Sequence, residues 1–254
     1  MVRVWPVCER LINKSEVHVY ASLSISEFYA RQPYFLTLLD SDELETVRRF
    51  KIEKIKDNYI VAHGLLREAL ANYVHKAPEQ LIFCKNEFGK PSLMDYPDLS
   101  FNMSHSADSL VIAVAQKCQL GIDVENYKQR DNLEGLVKKC FAPEEANYWQ
   151  GLDKNEQAKA FYQFWVKKEA FVKADGKGIT LGLNQCVINP NDLSYFLRVP
   201  ESCGNAEQWR IYSFSLSPET MLAVVLDKLE AELQFKRFNT ELSKDFQPPI
   251  TIIN

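Results

Sequence analysis

No apolar run in this chain approaches the roughly 20 residues that a membrane span requires. Its start, Met1-Val2-Arg3-Val4-Trp5-Pro6, lacks the apolar core of a signal peptide. The expected location is therefore the cytoplasm, with no membrane partner. Cysteine offers no metal or redox marker either. The six residues at 8, 84, 118, 140, 186 and 203 include no Cys-x-x-Cys pair, and they are expected to be reduced and buried. Basic excess is missing too. The net charge is −4, so no nucleic-acid partner is expected, and an anionic ligand has to be met by a local basic cluster. No low-complexity segment and no evident internal repeat interrupts the sequence.

What remains is an ordinary globular composition, 46% hydrophobic and 25% charged. The length suits one large domain or two of about 120 residues. Val17, Val19 and Ala21 alternate with polar neighbours, which predicts a strand over 18–22 with His18 on the surface. Asp40-Ser41 is a good N-cap pair with Asp42 and Glu43 behind it, and a helical period then runs to Val74. Its apolar phase slips between Phe50 and Ile55, which predicts two helices. Further strands are expected at 81–84, 99–103, 185–188, 194–199, 208–216 and 221–226, and helices at 133–140, 143–149 and 161–173. The end, from Lys228, reads as a short helix and a loose tail without chemistry of its own.

The chemistry gathers around Gly121-Ile122-Asp123-Val124-Glu125. On a strand, Asp123 and Glu125 project to one side, while Ile122 and Val124 face the core. Two like charges about 6–7 Å apart repel by roughly 2–3 kcal/mol at an effective dielectric of 20. Water on a solvated strand edge relieves that, and so does a hard cation such as Mg²⁺. The basic cluster Arg48, Arg49, Lys51, Lys54 and Lys56 is either a solvated helix face or a phosphate grip. Lys90 lies between Gly89 and Pro91, a turn that can aim its amine. Ser104-His105-Ser106 ends a strand with hydroxyl and imidazole donors suited to phosphate. Neighbours on an extended chain point apart, so Ser104 and His105 do not form a nucleophile–base pair. On the helix that Gly176 and Gly178 end, Trp165, Glu169 and Lys173 are four apart and share a face.

Taken together, Phe101-Asn102-Met103-Ser104-His105-Ser106, Gly121-Ile122-Asp123-Val124-Glu125 and Phe164-Trp165-Val166-Lys167-Lys168-Glu169-Ala170-Phe171-Val172-Lys173 resemble the 4′-phosphopantetheinyl transferases. Gly89-Lys90-Pro91 fits the same pattern upstream, and the likeness covers roughly 40–182. The chain length is similar to that of the larger, surfactin-synthetase-activating type. The resemblance implies an α+β (α/β) fold of two similar halves, each a small antiparallel sheet packed with helices, with the active site at their interface. Expected divisions are 1–117, 118–230 and a tail over 231–254. It implies a monomeric enzyme that moves the 4′-phosphopantetheine arm of coenzyme A onto a serine of an apo acyl, peptidyl or polyketide carrier protein, releasing 3′,5′-ADP. Asp123, Glu125 and Glu169 match Mg²⁺ ligands, with Mn²⁺ as a substitute. Glu169 also matches the proposed base, and Lys173 the group that meets the leaving phosphate. Lys90, Ser104, His105 and Asp123 match coenzyme A contacts, and Trp165 is expected to pack the helix that presents Glu169. Relatives carry basic residues where this chain has Glu43 and Thr46, so Arg48 and Arg49 are expected to take the 3′-phosphate. The segment from Tyr127 to Trp149, with Lys128, Arg130, Lys138 and Lys139, is the expected dock for an acidic carrier.

Two other classes compete. A non-catalytic module would bind coenzyme A or a carrier without turnover, yet every acid and base of the reaction is present. A metal-dependent phosphohydrolase would need a His/Asp cluster for a two-metal site, and the sequence has none.

Overall fold

The structure is a computed structural model and describes residues 12–74, 76–127, 132–238 and 251–252. The first half of the fold opens with strand β1 (Glu16–Ser22), followed by helices α1 (Gln32–Leu36), α2 (Ser41–Arg49) and α3 (Glu53–Ala71). A small hairpin, β2 (Phe83–Lys85) and β3 (Pro91–Leu93), leads to the hairpin β4 (Leu99–Ser106) and β5 (Ser109–Gln116). The second half repeats the plan. Strand β6 (Leu120–Asn126) is followed by helices α4 (Leu133–Cys140), α5 (Pro143–Gly151) and α6 (Lys154–Asp175). A small pair, β7 (Val187–Ile188) and β8 (Phe196–Arg198), precedes the hairpin β9 (Arg210–Ser217) and β10 (Thr220–Leu226). Strands β11 (Glu232–Lys236) and β12 (Thr251–Ile252) follow.

The two main sheets have the orders β11-β1-β5-β4 and β12-β9-β10-β6. In each, a first strand pairs antiparallel with the second strand of the hairpin that follows the long helix. This is the α+β architecture of two similar halves. Alternation along the strands builds three cores. Val17, Val19, Val111 and Ala113 of the first sheet meet Ile122, Val124, Leu222 and Val224 of the second between the sheets. Outside them, Leu110, Ile112 and Val114 receive Ile60, Leu65 and Leu66 of α3, while Met221, Ala223 and Val225 receive Phe164, Val172 and other residues of α6. The order is therefore helix, sheet, sheet, helix.

The predicted break between two helices lies at 50–52, where Phe50 turns extended. Two expectations fail. His18 is buried under α3, with its Nδ1 2.7 Å from Tyr73 Oη, because β1 is an inner strand with helices over one face and the second sheet over the other. The segment after Lys228 forms no helix at 232–236. It adds β11 parallel to β1, covering an otherwise open sheet edge, so part of the expected tail belongs to the first sheet. The five described cysteines are free thiols, but only Cys140 and Cys186 are buried, whereas Cys84, Cys118 and Cys203 are half-buried. No helix among the described residues is long and apolar enough to cross a membrane.

Candidate active site

Strands β4 and β6 each lie at one edge of their own sheets and run side by side. Alternate residues of β4 turn polar side chains onto β6. Ser100 Oγ donates to Cys118 O at 2.6 Å, and Asn102 Oδ1 accepts from Ile122 N at 2.9 Å. Ser104 Oγ donates to Asp123 Oδ1 at 2.7 Å, and Ser106 Oγ donates to Glu125 Oε2 at 3.0 Å. The seam between the halves is thus stitched through side chains. Its last two stitches hold the two carboxylates that the strand period places on one side.

Helix α6 closes the seam from above. Asp153 and Lys154 start it, and Gly176 ends it with φ +81°, the left-handed conformation that suits glycine. The helix backbone comes unusually close to β6 at Gly121, where an added Cβ would lie 2.0 Å from Ala170 O. That approach brings the Glu169 face over Asp123 and Glu125. Lys173 Nζ donates to Asp123 Oδ1 at 2.7 Å and to Ser104 Oγ at 2.8 Å. Trp165 Nε1 donates to Glu125 Oε1 at 3.0 Å. Trp165 therefore orients a carboxylate as well as packing on Phe161.

The electrostatics follow from this burial. Desolvation raises the pKa of Asp123, with Lys173 and the Ser104 hydroxyl pulling the other way. Burial also raises Glu169, and the charges of Asp123 and Glu125 add to the rise while Lys173 opposes it. His105 is lowered first by desolvation and then by the Lys173 and His63 charges. Asp123 Oδ2 is buried with no hydrogen-bond partner among the described residues. A buried carboxylate oxygen left bare is costly, and a cation or a hydrogen-bond donor in the seam would satisfy it. The donor set is all oxygen, which fits Mg²⁺. Among the described residues no group of three or more acidic, histidine or cysteine side chains is arranged to hold a metal ion. An ion held here would take few carboxylates and complete its shell with water and substrate oxygens.

Other expected residues are placed differently. Lys90 Nζ donates to Leu120 O at 3.1 Å and Ala174 O at 2.6 Å, so its ammonium is turned onto protein carbonyls of the second half. Arg48 and Arg49 are exposed on the last turn of α2, where Arg49 pairs with Glu45. Glu43 faces inward and accepts from His63 Nδ1 at 2.7 Å and from Arg67 Nε at 2.8 Å. Of the expected docking cations, Lys138 and Lys139 are exposed on α4, while Lys128 and Arg130 lie outside the described residues.

The family model described as the 4′-phosphopantetheinyl transferase superfamily matches residues 119–225, and the 4′-phosphopantetheinyl transferase N-terminal model matches residues 29–117. The 4′-phosphopantetheinyl transferase of Bacillus subtilis is 31% identical over 157 residues, which are 62% of this chain and 69% of that protein. HetI of Nostoc sp. is 36% identical over 144 residues, 56% of this chain and 61% of HetI. Sfp of Bacillus subtilis strain 168 is 31% identical over 150 residues, 59% of this chain and 66% of Sfp. The chain belongs to the 4′-phosphopantetheinyl transferase superfamily. It is a transferase of the Sfp-like type, and its two matched segments meet between β5 and β6.

Two contributors were not foreseen from the sequence, Asn102 and the indole N–H of Trp165, and Ser106, expected at phosphate, holds Glu125 instead. Their signal was present in the alternation Ser100, Asn102, Ser104, Ser106, a period of two that marks one face of a strand. What it faces was not readable, because β6 is joined to β4 only through side chains.

Proposed function

We propose that this transferase moves the 4′-phosphopantetheine group from coenzyme A to the serine hydroxyl of an apo acyl, peptidyl or polyketide carrier protein, releasing 3′,5′-ADP. The observation that carries this reading is the seam itself. It collects Asp123, Glu125, Glu169, Lys173 and Ser104 around a buried carboxylate oxygen that lacks a partner. Asp123, Glu125 and Glu169 would hold Mg²⁺, or Mn²⁺ in its place, and the ion supplies charge neutralisation at the pyrophosphate. Glu169 takes the proton of the carrier serine, directly or through water. Lys173 sits one turn on and offers positive charge and a proton to the departing 3′,5′-ADP phosphate. His105 supplies a donor to the coenzyme A phosphates, Ser104 supplies another when its hydroxyl turns from Asp123, and Asp123 orients Lys173 as well as contributing an oxygen. The exposed Arg48 and Arg49 attract the nucleotide end.

Both halves of the seam come from one chain, which supports a monomer. Free thiols and a coenzyme A substrate support a cytoplasmic setting. For the carrier, α4 exposes the cations Lys138 and Lys139 beside a groove floored by the buried Val137, Phe141 and Trp149, a face suited to an acidic partner. The test is intact-protein mass spectrometry of apo carriers incubated with this chain, coenzyme A and Mg²⁺, with and without EDTA. A gain of one phosphopantetheine group that EDTA blocks is the expected result. No gain with acyl, peptidyl or polyketide carriers, despite coenzyme A binding, would replace the reading by a binding module.

A further inference from the structure

The turn over residues 86–90 is built with more care than a hairpin connection requires. Asn86 Oδ1 accepts from Phe88 N at 3.0 Å and from Lys90 N at 2.8 Å, and Asn86 N donates to Lys90 O at 3.0 Å. Gly89 takes φ +88°, a conformation that disfavours any residue with a Cβ. The turn belongs to the first half, yet its side chains reach the second. Asn86 Nδ2 donates to Gly176 O at 3.2 Å, and Lys90 Nζ donates to Ala174 O at 2.6 Å and Leu120 O at 3.1 Å.

Those acceptors are not arbitrary. Ala174 is in the last turn of α6, where carbonyls lack intrahelical donors and the helix dipole favours a cation. Leu120 is the first residue of β6. The two elements that carry Glu169, Lys173, Asp123 and Glu125 therefore share one lysine from the opposite half. Gly176 lets that lysine pass, since a Cβ there would lie 2.8 Å from Lys90 Cδ.

We propose that the Asn86–Lys90 turn is a clasp between the halves, and that Lys90 is a positioning residue that sets Lys173 and Asp123 against Ser104, and not a ligand of the substrate phosphates. The proposal rests on the transferase reading above. Its logic is geometric. Ala174 adjoins Lys173, and Ser104 lies on β4, in the same half as the clasp. Releasing the end of α6 lets Lys173 withdraw from a seam that only side chains hold together. Transfer is sensitive to such shifts, because a misplacement of about 1 Å costs on the order of 100-fold in rate. Burial lowers the Lys90 pKa to about 8, as expected of a side chain sequestered on carbonyls.

The test uses Lys90→Met, Asn86→Ala and Gly176→Ala in the full chain, alongside the wild type. Wild-type transfer to an apo carrier checks the reading on which the proposal rests, before any variant is considered. Calorimetric Kd for coenzyme A, steady-state kcat and KM, and amide hydrogen exchange over 173–176 are then measured. A clasp predicts that kcat falls about 10- to 100-fold, that Kd for coenzyme A stays within about twofold of wild type, and that exchange at 173–176 accelerates. A phosphate ligand predicts that Kd for coenzyme A rises about tenfold or more at retained kcat, with exchange unchanged, and that result overturns the proposal. Unchanged kcat and exchange in Lys90→Met also overturn it. If Lys90→Met fails to fold, Asn86→Ala decides. It removes the reach to Gly176 O and the Oδ1 that holds the exposed turn while leaving Lys90 in place, and loss of kcat at retained Kd is again required.

Discussion

The two halves of this transferase solve one structural problem in the same way and then diverge by one residue. In the first half, Glu43 is the third residue of α2, closes the capping box with Asp40, and meets the fully buried Arg67 of α3. Arg67 also donates to the carbonyls of Pro78 and Leu81 beyond the helix, each at 3.1 Å. In the second half, Glu145 is the third residue of α5, accepts from Ala142 N, and meets the fully buried Lys168 of α6 at 2.8 Å. Lys168 also donates to the carbonyls of Leu183 and Cys186, at 2.8 and 2.5 Å. Arg67-Glu68-Ala69-Leu70 and Lys168-Glu169-Ala170-Phe171 therefore occupy equivalent places. Glu68 is neutralised by Arg31. Glu169 faces Asp123 and Glu125 instead. The same holds for the first strands. The helix-facing side of β1 carries His18 and Tyr20, which bond Tyr73 of the first half, whereas that of β6 carries Asp123 and Glu125. One scaffold is thus used twice, and chemistry arises where acids crowd together in place of a neutralising partner.

The strongest way to break the comparison is to exchange the two equivalent glutamates for glutamine. Glu169→Gln is expected to lower kcat by about 100-fold or more, with a thermal midpoint at or above wild type, because it removes like-charge repulsion. Glu68→Gln should leave kcat intact and lower stability by about 1 kcal/mol. Activity surviving in Glu169→Gln would remove the assigned base.

Next come the buried clamps. Glu43→Ala leaves Arg67 its 2.7 Å pair with Asp40, whereas Glu145→Ala strands a buried cation and should cost more, about 3–5 kcal/mol in urea unfolding. The double variant Glu145→Leu with Lys168→Met should recover most of that loss, since replacing a whole buried pair by apolar groups is often neutral or better. A double variant as unstable as Glu145→Ala would show that the carbonyl contacts, not the ion pair, hold α5 to α6.

The clamps also differ in their response to acid. Burial raises Glu43, but hydrogen bonds and charges from His63 and Arg67 outweigh it and leave the carboxyl below its usual 4.5. Burial raises Glu145 above 4.5 against the pull of Lys168. A lowered carboxyl stabilises the fold above pH 4.5 and loses that contribution as pH falls through its folded value. A raised one binds its proton more readily when folded, so its contribution runs the other way. Acidification should therefore accelerate hydrogen exchange in α3 before α6. The reverse order would contradict the assigned shifts.

The smallest effect concerns Lys167, the neighbour with no charged equivalent, since Leu66 stands at the matching place in α3. Burial pushes its amine down to about 7, partly offset by Asp192. The unfolded amine keeps its proton to about pH 10.5, so stability should rise between pH 7 and 10. Lys167→Met should flatten that rise in a pH series of thermal melts.

Much of this was readable along the chain. Residue type and period placed Asp123 with Glu125, set Glu169 and Lys173 on one helix face, capped α2 at Asp40, and divided the long helical stretch near residue 50. These are local properties, determined by φ/ψ preference, capping and the 2.0 and 3.6 periods. The duplication was legible only through the family resemblance, because it is carried by a few buried charges about 24 residues apart, not by a run of similar letters.

Tertiary structure decided the rest. Whether His18 meets solvent depends on what covers β1, and whether residues 232–236 form helix or strand depends on an open sheet edge. Lys90 reaches carbonyls of the other half, and Trp165 meets Glu125 across 40 positions. By itself the sequence determined which groups are available and which face of its own element each one occupies. Which groups face one another across the seam was decided only when the two sheets stacked and α6 settled onto Gly121, because long-range contacts follow from packing the whole chain.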